Sequence, residues 1–467
     1  MSHSAPLCLR ALVVGVLLIG GALPAAAQDA ASLPPLSVSE DDRHLVRPDG
    51  SPFFWLGDTA WELFHRLDRE EARTYLEDRA EKGFTVVQAV VLAELDGLNA
   101  PNPYGETPLI ENDPTRPNEA YFEHVDYIVN QAERRGLYIG MLPTWGDKFN
   151  KKWGVGPEVF TPKNARAYGE FLGERYRDEP IIWILGGDRN PENDEDKAII
   201  RAMAAGIEAG DDDPLMTYHP QGGSQSWQWF HQDAWLDVNM FQSGHDFDRP
   251  NYRTTREGFL LDPTKPVIDG EPRYEDIPAG FDPSFGWIDA FDVRQAAYWS
   301  VLSGAFGHTY GNNNIWQMWA EDRDPVIHAR TSWHEALDHA GATHMGHLRA
   351  LFLSRPFLTL VPDQSVLAGP AGEGAAHQRA ARDEAGRYLM VYTPYGTPVS
   401  VWMGTIADSS ATAYWYNPRT AEHRQIGTYE TTGSRAFDPP GGKGRGRDWV
   451  LVLDAASADF GPPGAAP

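Results

Sequence analysis

Short apolar runs and amphipathic helical stretches alternate between residues 53 and 351. The runs 53–56, 84–92, 137–142, 181–185, 215–219, 238–242, 266–270 and 305–310 are short and bounded by turn residues, so they read as strands. Between them, 69–82, 121–135, 162–176, 192–209, 292–302 and 333–351 carry helical periodicity. Gly83 and Gly136 close two of these helices, and Thr161-Pro162 supplies an N-cap and a first-turn proline for another. Strand–helix alternation at this pitch predicts parallel strands joined by crossover helices. Eight strands predict an α/β fold of the (β/α)8 TIM-barrel type rather than an open sheet. No G-x-G-x-x-G follows the first strand, which weighs against a dinucleotide fold. Long segments, 93–118 and 219–235, follow strands two and five, and loops at the carboxyl ends of barrel strands are where a pocket is built.

The pattern changes near Val361-Pro362. The runs 388–392, 399–403, 413–416 and 449–453 are separated by turn clusters, with no long helix between them, and predict a small β-sandwich. The expected division is therefore a barrel over 36–360, a C-terminal β-sandwich over 361–455 and a flexible tail over 456–467. At the other end, Arg10, the apolar stretch 11–23 and Ala25-Ala26-Ala27 have the layout of a signal peptide over 1–27. This predicts a periplasmic or secreted bacterial protein with no membrane insertion once the signal is cleaved.

Composition narrows the function. The 467 residues include 16 Trp, 18 Tyr and 20 Phe, enough aromatic surface to bury a large core and to exclude disorder throughout. A formal net charge of −26 would repel phosphate, so nucleic acid is not an expected partner. The sole cysteine, Cys8, falls inside the predicted signal, and no H-E-x-x-H occurs, so neither a metal nor another cofactor is expected. No G-x-S-x-G elbow points to a serine hydrolase.

The strongest chemical signal is a pair of acidic strand ends. Strand four runs Ile181-Ile182-Trp183-Ile184-Leu185-Gly186-Gly187-Asp188, and alternation puts Ile182, Ile184, Gly186 and Asp188 on one face. Strand seven runs Val267-Ile268-Asp269-Gly270-Glu271, with Val267, Asp269 and Glu271 on one face. Two carboxyls brought to one rim from opposite walls suit glycoside hydrolysis, in which one acid stays protonated and the other ionised. Burial and mutual repulsion separate their pKa values. The competing use of Asp188 is as an N-cap for the helix that follows.

Aromatic residues cluster at the same strand ends: Trp61 after strand one, Trp145 after strand three and Tyr274 beside Glu271. Their faces suit the C–H faces of sugar rings. Asp58, Gln88, His219, Gln242, His245, Tyr310 and Asn312 sit at strand ends where they could hold hydroxyls. The expected partner is thus a carbohydrate substrate.

The segments Gly57-Asp58-Thr59-Ala60-Trp61, Gly186-Gly187-Asp188-Arg189-Asn190, Asp269-Gly270-Glu271-Pro272 and His308-Thr309-Tyr310-Gly311-Asn312 make the chain recognisable. It resembles the apiosidase-like glycoside hydrolases, glycoside hydrolase family 140. The resemblance covers about 36–360, and the remainder resembles the small β domain, labelled collagen-binding, that is often appended to that family. It implies a (β/α)8 barrel that cleaves glycosidic bonds with two acids, Asp188 as acid/base and Glu271 as nucleophile, with a retaining outcome. Some members release apiose from pectin side chains. The family's retaining relatives often carry Asn-Glu at the end of strand four, where this chain has Asp188-Arg189-Asn190. The rival expectation, from another functional class, is a non-catalytic glycan-binding or adhesive protein built on the same scaffold.

Overall fold

The computed structural model describes residues 1–3, 32–247 and 249–465. The predicted signal lies almost wholly outside the described residues. Eight parallel strands form the barrel: β1 (Trp55–Thr59), β2 (Val86–Leu92), β3 (Tyr138–Thr144), β4 (Ile181–Gly186), β5 (Met216–His219), β6 (Asn239–Phe241), β7 (Val267–Asp269) and β8 (Gly307–Tyr310). Strands β8, β1, β2, β3, β4 and β5 pair continuously, and β6 pairs with β7. A bridge between Thr217 and Val238 joins β5 to β6, and the Phe306 amide donates to the Val267 carbonyl at 3.3 Å where β7 meets β8. The ring is thereby closed. Every residue of β2 and β3 is buried, as expected of strands covered on both faces.

The main crossover helices are α1 (Arg69–Glu81), α2 (Glu119–Glu133), α3 (Pro162–Tyr176), α4 (Asp194–Gly210), α5 (Asn251–Phe259), α6 (Ala290–Val301) and α7 (Ala340–Leu353). Thr161 caps α3 in a capping box with Asn164, and Pro162 opens the helix as its sequence requires. Helices α3 and α4 meet through Gly169, Gly173, Gly206 and Gly210. A Cβ on Gly206 would sit 2.2 Å from the Arg166 carbonyl oxygen, so only glycine permits this approach. Helix α5 escaped the sequence pattern because Pro250 precedes it without a side-chain cap and its buried face is only Asn251, Tyr252, Thr255 and Gly258. The stretch 333–351 is two helices, a turn at Trp333–Ala336 and then α7.

Beyond the barrel lie β9 (Leu360–Pro362), β10 (Arg379–Asp383), β11 (Tyr388–Thr393), β12 (Val399–Trp402), β13 (Ser410–Tyr416), β14 (His423–Glu430), β15 (Ser434–Phe437) and β16 (Trp449–Ala455). They form a six-stranded antiparallel sheet, ordered β9-β10-β11-β16-β13-β14, and a β12–β15 pair. Val391, Ala413, Leu451 and Leu453 of the large sheet share a core with Val399, Val401 and Phe437 of the pair, which makes a sandwich. Alternate residues on the other face, Met390, Tyr392, Val450 and Val452, join the barrel core instead. Tyr392 stacks on Tyr298 of α6 with centroids 4.7 Å apart. Arg294 forms a buried bidentate pair with Asp448, and Arg355 another with Asp454. The final segment, expected as a flexible tail, makes specific contacts: Phe460 meets Tyr388 edge-on, and the Gly464 amide donates to Ser354 Oγ at 3.1 Å.

Candidate active site

A cavity of about 480 Å³ opens at the carboxyl ends of the strands, with Asp188, Glu271 and Glu94 in its wall. Simple alternation does not deliver Asp188. Strand β4 stops at Gly186, and the next residues turn through left-handed conformations, with φ of 99° at Gly186, 95° at Gly187 and 49° at Asp188. The Gly187 carbonyl accepts from the Gly146 amide at 2.9 Å, and a Cβ on Gly187 would approach Trp145 Cα to 2.9 Å. The turn is thus pinned beneath the loop after β3 and needs glycine at its second position. Helix α4 is capped by Asn193, whose Oδ1 accepts from the Asp196 amide, so Asp188 is not its N-cap. The Asp188 amide donates to His219 Nδ1 at 3.1 Å, and Trp153 Nε1 donates to Asp188 Oδ2 at 3.1 Å.

The one-face expectation for β7 also fails. Asp269 accepts from Ser243 and from Asn251 on α5, outside the strand, and is held there. Glu271 lines the cavity. Its Oε1 lies 3.0 Å from His245 Nε2, and its Oε2 lies 3.1 Å from His219 Nε2. Burial alone would raise this carboxyl, but the two imidazoles outweigh it and hold Glu271 down to about 2. Burial and then repulsion by Glu271 push Asp188 up to about 7. At neutral pH one acid is therefore ionised and the other substantially protonated.

The expected pocket residues divide. Trp61, Trp145, Gln242, His245 and Tyr274 line the cavity. His219 lies behind it, fully buried, with Trp61 and Trp145 packed against its ring at 5.4 and 6.3 Å. Asp58, Gln88, Tyr310 and Asn312 are not in the lining, and each has a structural partner instead. Asp58 projects outward to α1, where Tyr75 Oη donates to it at 2.7 Å and Arg79 lies at 3.5 Å. Gln88 spans the barrel interior to donate to the Gly270 carbonyl at 3.0 Å. Tyr310 donates to Glu275 at 2.6 Å, and Asn312 caps the helical turn Asn313–Trp316. A strand end fixes a residue's height in a barrel but not whether its side chain reaches the cavity.

Several lining residues were not singled out from the sequence: Glu94, Trp153, Gln221 and Phe281. Glu94 stands two residues past the end of β2, as Asp188 does past β4 and Glu271 past β7. That shared offset would have found it. Burial, and next the neighbouring carboxyl of Asp188, raise its pKa well above the usual carboxylate range. Among the described residues, the buried polar atoms Trp145 Nε1, Gln221 Oε1, Gln242 Oε1 and Tyr274 Oη have no aligned partner. These donors and acceptors on lining residues suit a hydroxyl-rich ligand.

A closed parallel barrel with acidic side chains in a cavity at its carboxyl-end rim is an arrangement that suits a two-carboxylate glycosidase. The chain belongs to the apiosidase-like family: the family described as "Apiosidase-like, catalytic domain" matches residues 39–359. The family described as "Putative collagen-binding domain of a collagenase" matches residues 361–454. A solved structure titled "Glycoside hydrolase" is 37% identical, with a TM-score of 0.85 over 92% of this chain and 98% of that one. A glycoside hydrolase family 5 structure from Bacteroides vulgatus is 36% identical, with a TM-score of 0.85 over 91% of this chain and 94% of that one. A structure from the same organism titled "putative glycoside hydrolase", at 16% identity and a TM-score of 0.66 over 92% of this chain and 83% of that one, shares the fold. No curated protein matches the chain. The protein is a glycoside hydrolase of this family.

Proposed function

We propose that the protein is an exported, retaining glycoside hydrolase in which Asp188 is the acid/base and Glu271 the nucleophile. Asp188 gives its proton to the glycosidic oxygen as Glu271 attacks the anomeric carbon and the leaving group departs. Asp188, now ionised, takes a proton from water, and that water cleaves the glycosyl ester and frees Glu271. The observation that carries this reading is that Asp188 and Glu271 stand in one cavity wall on either side of His219, with burial and Glu271 pushing Asp188 up and two imidazoles holding Glu271 down. Two imidazoles on Glu271 keep it ionised and oriented, which suits attack. A carboxyl pushed up to about 7 suits proton donation near neutrality.

The substrate class is a plant or microbial polysaccharide, and the family's name makes an apioside the first to try. Incubation with a panel of polysaccharides and aryl glycosides, followed by NMR of the first-formed sugar, tests bond and stereochemistry together. Net retention supports the assignment, and an inverted first product refutes the nucleophile role. Export rests on Arg10, the apolar stretch 11–23 and Ala25-Ala26-Ala27. N-terminal sequencing of the protein from periplasm and medium tests it, and a start near residue 28 is expected.

A further inference from the structure

A second cavity, of about 400 Å³, lies where the barrel meets the β domain. The barrel contributes Trp287, Phe291, Asp289 and Asp292, and the β domain contributes Tyr395 and Arg445. Phe291 and Tyr395 meet edge to face at 5.8 Å, and Arg445 bridges Asp289 and Asp292 at 2.7 and 2.5 Å. Arg330 covers one face of Trp287 at 3.5 Å and Arg445 one face of Phe291 at 4.9 Å, so the cleft offers the remaining aromatic surface, the Tyr395 hydroxyl and a partly exposed guanidinium–carboxylate cluster, which suit a ring that is apolar on its faces and polar at its edge.

This cavity shares a wall with the catalytic one. Asp246 and Arg249 line the first cavity, and Phe247 between them lines the second. Gly280 and Phe281 line the first, and Gly286 and Trp287 line the second. The wall is fixed: the Gly280 amide donates to the His245 carbonyl, the Ala279 amide to the Gly286 carbonyl, and Arg273 to the carbonyls of Asp246 and Phe247. Its crest carries Phe281, 52% exposed, and Phe285, 68% exposed. Phe281 holds φ at 65°, a conformation that costs a side-chain-bearing residue about 1–2 kcal/mol. Local strain kept under an exposed aromatic residue at a site's rim points to use rather than to packing.

We infer that the interdomain cleft is a distal binding site for the same glycan chain whose terminal residue enters the catalytic cavity, with Phe281 and Phe285 as the path between them. This rests on the glycosidase reading of the first cavity. It gives the β domain a direct part in holding polymer.

Native gels containing pectin, galactomannan or arabinoxylan test it with the full-length chain. At least one polymer should retard migration, and Phe285→Ala and Tyr395→Ala should each weaken that retention about fivefold or more, while Tyr395→Phe keeps it. Thermal unfolding midpoints check the fold, and the exposed Phe285 carries the test if Tyr395→Ala misfolds. Retention unchanged in the alanine variants, or no retardation by any of the three polymers, overturns the inference. Cleavage of short aryl glycosides, read separately, reports on the catalytic assignment alone.

Discussion

The Asp188 amide donates to His219 Nδ1 at 3.1 Å, and the opposite ring nitrogen, Nε2, faces Glu271 Oε2 at 3.1 Å. The turn that presents the acid therefore also positions the ring that stands beside the other carboxyl. Displacing Asp188 would loosen the hold on Glu271.

Replacing Glu271 by Gln should lower kcat by about 10³-fold or more while leaving the unfolding midpoint within a few degrees, because the proposed nucleophile is lost and the cavity shape is kept. Asp188→Asn should cost less on aryl glycosides with good leaving groups than on polysaccharide, since only the latter need the proton. Steady-state kinetics on both substrate types would check this. An equal loss on both would refute the acid role.

The pH profile follows from the two shifts. Glu271, held down to about 2, stays ionised across the working range, so the acid limb lies far down. Asp188, pushed up to about 7, loses its proton above that pH, and kcat/KM should fall about tenfold per unit beyond it. In stability the signs are opposite. The lowered Glu271 contributes above its ordinary value near 4.5 and loses that contribution as pH falls toward 2, whereas the raised Asp188 opposes folding increasingly as pH rises from 3.8 to 7.

His245→Ala removes one of the two groups that keep Glu271 ionised. The carboxyl should move up toward its usual range, and the acid limb of kcat/KM should rise with it, alongside a roughly 10–100-fold loss at neutral pH. A profile with an unmoved acid limb would show that His245 does not hold the proton balance.

Gly187→Ala should destabilise the protein by about 1–2 kcal/mol and depress activity further than that loss explains. The new methyl meets Thr144 and Trp145 backbone at 2.9 Å in a left-handed turn, so the turn must shift and Asp188 with it. Denaturant unfolding beside kinetics would separate the two effects.

Truncation after residue 360 should yield insoluble barrel. It would strip the cover from Tyr298 and leave Arg294 and Arg355 without Asp448 and Asp454. Losing one partner of a buried pair costs about 3–5 kcal/mol. A soluble, monomeric fragment would contradict this.

The chain's own pattern determined the strand–helix alternation, the eight strands, the β-sandwich and the two acids at strand ends, because period and turn chemistry are local and written in consecutive residues. Tertiary structure decided the rest. It sent Asp58 outward to Tyr75 and Arg79, drew Asp269 to Ser243 and Asn251, and aimed Asp188 by a left-handed turn rather than by alternation. It also set the protonation of Asp188 and Glu271, since a carboxyl's affinity for its proton depends on burial and on charges that arrive from distant strands.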